Sequence, residues 1–112
     1  MQEFRDGRSY VYFIGADVGL IKIGQTSAPL CRLSAFNLGS PIELRFLALI
    51  VGGAKEERKY QARFADLRVR GEWFERSPEI LRFIKRTRSR QICAARGSSA
   101  PLKHFLDGAE VA

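Results

Sequence analysis

The amino-acid sequence predicts a small α+β domain, with a three-stranded antiparallel sheet flanked by helices in the order β-β-α-β-α-α. Short apolar segments at 10–14 and 21–24 are typical of a β-hairpin, and a longer apolar segment at 43–51 predicts the third strand. Helix start signals and helical apolar spacing occupy the intervals between and after these strands. With 112 residues and 46% hydrophobic content, the chain has room for one core and one site.

The predicted hairpin brings a phenol close to a cation. If the strands fold back around Asp17, Tyr12 lies opposite Lys22. The other pairs in this register are Tyr10 with Gly24 and Ile14 with Leu20. Side chains alternate across a strand, so all of these residues share one face. A neighbouring cation lowers a tyrosine pKa from its usual value of about 10, which suits the group to accept or relay a proton. An interior tyrosine beside a solvated lysine explains the same residues equally well.

Three helices follow from local signals. The first is expected at 27–38, because Thr26 or Ser27 can cap it and Pro29 suits its first turn. The second is expected at 54–67, after a pair of glycines. The third begins at Ser77 and Pro78, where a capping hydroxyl is followed by a proline and an early acid.

Positive charge is concentrated near the C-terminal end. The net charge is +7, and residues 82–96 include six basic residues and no acidic residue. Such a segment can neutralise several phosphates, which predicts DNA as the partner, although a solvated helix end has the same composition. The predicted nucleic-acid-binding residues are Arg82, Lys85, Arg86, Arg88 and Arg90. We expect a folded domain at 1–90 and a basic, flexible tail at 91–112.

The composition argues against several classes of protein. No segment approaches the roughly 18 apolar residues of a membrane span, and residues 1–8 are polar, so we expect a cytoplasmic protein with no membrane partner. Cys31 and Cys93 lie far apart, and the single histidine, His104, lies in the predicted tail. A structural zinc site and a histidine-based catalytic triad are therefore not expected.

Two charged residues on the predicted helices lie beside apolar stripes. Glu57 precedes Tyr60 and Phe64 by three and seven positions and therefore shares their helix face. A charge in that place is costly unless it meets an arginine or a divalent metal ion, and both alternatives are open. Arg32 lies next to the apolar stripe of the first helix, where its guanidinium either clamps a phosphate or only covers apolar surface.

Together, Tyr12, Lys22, Arg32 and Glu57 form a set suited to phosphodiester hydrolysis. The two cations can offset the charge of the transition state, and Tyr12 can help to deprotonate water. A metal ion at Glu57, either Mg²⁺ or Mn²⁺, can polarise the scissile phosphate.

At these residues the chain resembles the GIY-YIG nuclease superfamily, in particular a compact phage and bacterial branch with a Gly-Glu-Trp-Phe signature. The resemblance covers roughly residues 9–84. Its ordered elements are Tyr10-Val11-Tyr12, Lys22-Ile23-Gly24, Arg32, Glu57 and Gly71-Glu72-Trp73-Phe74. It implies a three-stranded antiparallel sheet and a shallow site that cuts DNA with one divalent metal ion, with Tyr12, Lys22, Arg32 and Glu57 as the catalytic groups.

Several positions depart from the pattern that the resemblance implies. Lys22 replaces a tyrosine, Phe36 stands where active members often have histidine or tyrosine, and Gln61 stands where this branch often has histidine. Glu72 stands where many nucleases have asparagine. Its carboxylate either helps to hold the metal or caps the turn, and the neighbouring aromatic residues favour the structural role.

The leading hypothesis is a metal-dependent DNA endonuclease or nickase. The alternative is a DNA-binding module that retains the fold without turnover, for which Phe36 and Gln61 are the reason. A third hypothesis, a structural or protein-interaction domain, requires the basic segment to be incidental. A protein partner for targeting is compatible with the chain, because no recognition helix or zinc finger accompanies the core.

Overall fold

The computed structural model describes residues 8–95, and within them it confirms the α+β class. A sheet is packed against helices on both of its faces. The elements, in chain order, are β1 (Tyr10–Gly15), β2 (Ile21–Thr26), α1 (Pro29–Leu38), β3 (Arg45–Val51), α2 (Ala54–Arg63), β4 (Arg68–Arg70), β5 (Trp73–Phe74) and α3 (Pro78–Ala95). A short 3₁₀ turn at Ala65–Leu67 follows α2.

The prediction of three strands was wrong, because the described residues form a five-stranded antiparallel sheet in the order β3-β1-β2-β5-β4. The two additional strands have three and two residues, which is too few for an alternating apolar pattern to be recognised. They form a small hairpin that turns at Gly71, whose φ of 56° is the left-handed conformation that glycine adopts readily. This hairpin extends the sheet beyond β2.

The predicted hairpin register was wrong by two residues. Tyr12 pairs with Gly24, and Lys22 pairs with Ile14. The turn is wider than a reversal at Asp17, because Arg76 holds it from outside: its Nε donates to the Gly19 carbonyl at 2.9 Å, and its Nη2 donates to the Ala16 carbonyl at 2.6 Å. A shift of two residues preserves the side-chain face, so Tyr12 and Lys22 still lie on the same side of the sheet.

Each face of the sheet has its own apolar core. On the α1 face, residues from β1 and β3 pack against α1; this core contains Tyr10, Tyr12, Ile14, Phe46 and Leu49, with Leu33 and Phe36 from the helix. On the other face, residues from β1, β2 and β3 pack against α2 and α3; this core includes Val11, Phe13, Ile21, Ile23, Phe64, Ile80 and Phe83. Strand β1 is buried on both faces and is therefore the centre of the fold.

The helices differ from prediction mainly at their ends. The prediction that Thr26 or Ser27 caps α1 was wrong, because the helix begins at Pro29 with Ala28 at its N-cap position and no side-chain cap. The Thr26 hydroxyl instead accepts a hydrogen bond from the Ala28 amide at 3.0 Å, just before the helix. Helix α2 ends at Arg63, where the 3₁₀ turn takes over. Helix α3 continues to Ala95, whereas the rest of the predicted tail, residues 96–112, lies outside the described residues. No helix in the described part of the chain is long and apolar enough to cross a membrane.

Replacing Arg76 tests the wide turn. Arg76→Gln removes both hydrogen bonds to the turn carbonyls, so we expect the free energy of unfolding to fall by about 2 kcal/mol. Urea denaturation followed by tryptophan fluorescence measures this change. Arg82→Gln, at an exposed position on α3, is the control, and equal unfolding midpoints for the two variants would contradict the role of Arg76.

Replacing Gly24 tests the register. A Cβ at Gly24 would overlap the Tyr12 hydroxyl and lie 2.7 Å from Glu72 Oε1, whereas a Cβ at Gly39 would meet nothing within 4 Å. We expect Gly24→Ala to cost about 2 kcal/mol of stability, because the overpacked ring must move. Gly39→Ala is the matched control and should unfold close to the wild type. A thermal midpoint for Gly24→Ala equal to that of the control would show that Tyr12 does not lie over Gly24.

Candidate functional site

One carboxylate oxygen joins the phenol and the ammonium that the sequence placed together. The Tyr12 hydroxyl donates a hydrogen bond to Glu72 Oε1 at 3.2 Å, and Lys22 Nζ lies 3.6 Å from the same oxygen. The strands explain this meeting. Gly24 leaves room for the Tyr12 ring, and the Ile23 amide donates to the Glu72 carbonyl at 2.8 Å, which fixes Glu72 beside β2.

Aromatic rings surround the Lys22 ammonium. Its Nζ lies 5.0 Å from the centroid of the Phe36 ring and 4.8 Å from that of Trp73, and the side chain is only 17% exposed. The electron-rich faces of these rings and the Glu72 carboxylate compensate for the lost hydration. Phe36 also meets the Tyr12 ring edge-on, with centroids 6.0 Å apart. The Phe36 ring therefore forms a wall of the site at the position where the resemblance implied a proton carrier.

The predicted lowering of the Tyr12 pKa was wrong. Burial of the phenol, and then the negative charge and hydrogen bond of Glu72, raise the pKa of Tyr12 well above its ordinary value. In the predicted register Lys22 lay directly opposite Tyr12, but in the structure Gly24 takes that place and the ammonium is directed to Glu72. Tyr12 is therefore a protonated hydrogen-bond donor at neutral pH.

Arg32 and Glu57 lie within electrostatic range of this phenol. The positive charge of Arg32 lowers the Tyr12 pKa and the negative charge of Glu57 raises it, both as smaller effects than burial and Glu72. Arg32 is exposed on α1, one turn before Phe36 and on the same side of the helix. The structure thus brings all four predicted site residues into one neighbourhood.

Glu57 carries a charge that is poorly compensated. It is half-buried in the first turn of α2, and burial followed by the nearby charge of Glu72 raises its pKa. Among residues 8–90, whose side chains are described, no hydrogen bond or ion pair is made by the Glu57 carboxylate. Of the two alternatives left open by the sequence, the arginine partner is not found in this part of the chain.

The donor chemistry at Glu57 fits one class of metal ion. The described residues contain no group of three or more histidine, cysteine, aspartate or glutamate side chains that could cage a metal. Mg²⁺ needs no such cage, since it keeps several water ligands and is held by one or two carboxylates together with substrate phosphates. Glu57 has the donor chemistry for such an ion, since burial and the Glu72 charge raise its pKa more than the Arg58 charge lowers it.

The side chains of Glu72 and Gln61 make contacts that the sequence did not indicate. The structural role favoured for Glu72 does not account for its carboxylate, which reaches into the site. The pairing of β5 with β2 puts it there, and two-residue strands give no sequence signal. Gln61 ties the fold together: its Nε2 donates to the Ile23 carbonyl, and its Oε1 accepts from Arg68, both at 2.9 Å.

The predicted nucleic-acid-binding residues lie on the opposite side of the sheet from Tyr12 and Lys22. They belong to α3, which packs on the other core. Arg82, Lys85, Arg86 and Arg90 are exposed and Arg88 is half-buried. Helix α2 connects the two sides, because Glu57 lies near Glu72 while the Tyr60 ring packs 5.3 Å from that of Phe83 on α3.

Comparison with known proteins corrects the resemblance drawn from short motifs. The family model of the T5orf172 domain matches residues 9–90, a span that includes every residue of the site. No curated protein and no solved structure matches the chain. Assignment to the GIY-YIG superfamily was therefore wrong, because the family that matches is a different one, and ordered short motifs did not suffice to separate the two. The chain belongs to the T5orf172 domain family.

Proposed function

We propose that this protein is a metal-dependent endonuclease or nickase that hydrolyses phosphodiester bonds in DNA. The observation that carries the proposal is the meeting of Tyr12 and Lys22 at one oxygen of Glu72, within range of the charges of Arg32 and Glu57. The T5orf172 domain is a phage-associated domain linked to nuclease and DNA-binding roles, which supports this class of function.

The raised Tyr12 pKa determines how the proton moves. A phenol that is protonated at neutral pH is not a standing base, so Tyr12 gives its own proton to Glu72 as it takes one from the attacking water. The water oxygen forms the new bond to phosphorus, and the bond from phosphorus to the leaving oxygen breaks. Glu72 then holds the proton that the leaving oxygen finally receives, so the atoms balance and Tyr12 is unchanged.

The cations have separate roles in this scheme. Lys22 is held by two rings and keeps Glu72 Oε1 close to the Tyr12 hydroxyl, so it is a positioning residue for the acceptor. Arg32 is exposed on the same side of the sheet, where its guanidinium can reach a phosphate of the substrate and offset the negative charge of the transition state.

Glu57 is the residue that would hold the metal. When bound there, Mg²⁺ or Mn²⁺ would supply positive charge that polarises the scissile phosphate and stabilises the leaving oxygen. The binding would also compensate for the charge that Glu57 and Glu72 place close together.

A DNA-binding module without turnover is the second candidate. The observation that favours it is the packing of Phe36 against both Tyr12 and Lys22, which gives this wall of the site no group that can carry a proton. The Gln61 side-chain amide is likewise already hydrogen-bonded, to the Ile23 carbonyl and to Arg68. This candidate predicts salt-sensitive DNA binding with no cleavage in any metal.

Plasmid relaxation separates the two candidates. With Mg²⁺ or Mn²⁺, we expect Glu57→Gln to cut at least about 100-fold more slowly than the wild type, because it removes the proposed metal ligand and preserves side-chain shape. Glu43→Gln, at an exposed position, is the matched control and should cut normally. Equal cutting by Glu57→Gln and the wild type would contradict the endonuclease proposal, and absence of cutting by all three would favour the module.

The ionisation of Tyr12 tests the proton path. Alkaline absorbance titration should show a tyrosine transition with a midpoint well above 10.0 that is lost in Tyr12→Phe. Glu72→Gln should move the midpoint downward, because it removes the carboxylate charge but leaves the phenol buried. A midpoint at or below the ordinary tyrosine value would contradict the proposed transfer to Glu72.

The same group makes stability depend on pH. Since the folded-state pKa of Tyr12 lies above the unfolded value of 10.0, the buried phenol contributes stability that is complete below pH 10.0 and declines as the pH rises through the folded-state pKa. We therefore expect the wild type to lose more unfolding free energy than Tyr12→Phe in this range, as measured by urea titrations at each pH.

A further inference from the structure

A second concave surface lies away from the Tyr12 site. It is a cavity of about 380 Å³ between α2 and α3, and we refer to it as the α2–α3 cleft. The lining residues are four cations and two aromatic side chains: Lys59, Tyr60, Arg63, Phe83, Arg86 and Arg90. A cavity of this volume is large enough for a small ligand or a short piece of a polymer chain.

Helical spacing directs the side chains of four cationic residues into the cleft. Lys59 and Arg63 lie one turn apart on α2, and Arg86 and Arg90 lie one turn apart on α3. Among the residues whose side chains the structure describes, no acidic residue lines the cleft, and only Lys59 feels a nearby carboxylate, that of Glu56. An anion with more than one charged group is therefore the ligand that this lining favours.

The floor of the cleft holds one cation in place. The Arg63 guanidinium lies 4.7 Å from the centroid of the Phe83 ring and 5.4 Å from that of Phe64. The Tyr60 and Phe83 rings are themselves packed together, with centroids 5.3 Å apart. A guanidinium stacked in this way is already ordered before a ligand arrives, which lowers the entropic cost of binding a phosphate.

We propose that the α2–α3 cleft binds consecutive phosphates of a nucleic-acid backbone. This inference rests on the proposed action on DNA and deepens it, because it assigns a second contact to Lys59 and Arg63 of α2, which the basic segment of the sequence does not include. It also divides that segment: Arg86 and Arg90 line the cleft, whereas Arg82 and Lys85 do not.

The geometry favours a polymer over a free phosphate compound. Cations lie on both walls, and Arg63 covers part of the aromatic floor. Among the residues with described side chains, the cleft therefore offers charge along its length and no neutral amide to recognise a base. Helix α2 also links the cleft to the site. Arg63 follows Glu57 by six positions, or about 9 Å along the helix axis and about 120° around it, so α2 carries one residue of each surface.

The test is a titration of labelled DNA followed by fluorescence anisotropy. It is done in EDTA, so that cleavage does not enter, and over a range of KCl concentrations. The cleft variant is Lys59→Gln with Arg86→Gln, which leaves the Arg63 stack intact. The matched control is Lys55→Gln with Arg70→Gln, which removes one lysine and one arginine at exposed positions outside both the cleft and the predicted nucleic-acid-binding segment.

We expect the cleft variant to bind DNA about tenfold more weakly than the control, and to lower the slope of log affinity against log salt by about two, since each lost phosphate contact lowers it by about one. Equal affinities and slopes for the two variants, with thermal midpoints like that of the wild type, would overturn the inference. Binding of inorganic pyrophosphate that is lost in the cleft variant, without any difference in DNA affinity, would also overturn it and assign the cleft to a free phosphate compound.

DNA cleavage by the wild type is measured separately from DNA binding, so the endonuclease proposal and this inference can fail independently. A wild type that binds DNA through the cleft but never cuts it contradicts the endonuclease proposal and supports this inference. A wild type that binds no DNA at low salt overturns both.

Discussion

The position of the Tyr12 ring over Gly24 is the constraint on which the candidate site depends. Only a residue without a side chain leaves space for the ring at that point of β2. The hydroxyl of this ring donates a hydrogen bond to the carboxylate of Glu72, the residue that directly precedes β5. A side chain at Gly24 would displace the ring and separate the donor from its acceptor. One cross-strand pair therefore fixes both the packing of the α1 face and the hydrogen bond from Tyr12 to Glu72.

The two faces of the sheet carry different chemical environments. The α1 face holds the Tyr12 site, where burial raises the phenol pKa and aromatic rings shield the Lys22 ammonium. The opposite face carries the α2–α3 cleft, where cations remain exposed to solvent. The proposed proton transfer would benefit from low polarity, and the proposed binding of a polyanion would benefit from open positive charge, so the separation of the two environments suits both proposals. Helix α2 belongs to both environments.

Local sequence signals predicted the parts of the fold that are long and periodic. The α+β class, the three long strands and the approximate starts of the helices follow from apolar spacing and from proline and glycine signals, although the predicted cap of α1 was wrong. The register of the hairpin does not, because Arg76 sets the width of its turn through contacts with Gly19 and Ala16 that are distant in sequence. Strands β4 and β5 are too short for any periodic signal, and their absence from the prediction hid the reach of Glu72 into the site.

Charge balance links the candidate chemistry to the stability of the fold. Lys22 compensates for Glu72, but burial and the Glu72 charge raise the pKa of Glu57, so the ionised Glu57 carboxylate is less favourable in the folded chain than in the unfolded chain. A residue that destabilises the fold in this way is typical of a functional site, where local preferences for stability are often violated. A cation that binds the folded form at Glu57 relieves the repulsion and stabilises that form by mass action. The proposed metal binding at Glu57 is therefore thermodynamically coupled to folding, because the same carboxylate costs stability in the free protein and is compensated in the bound form.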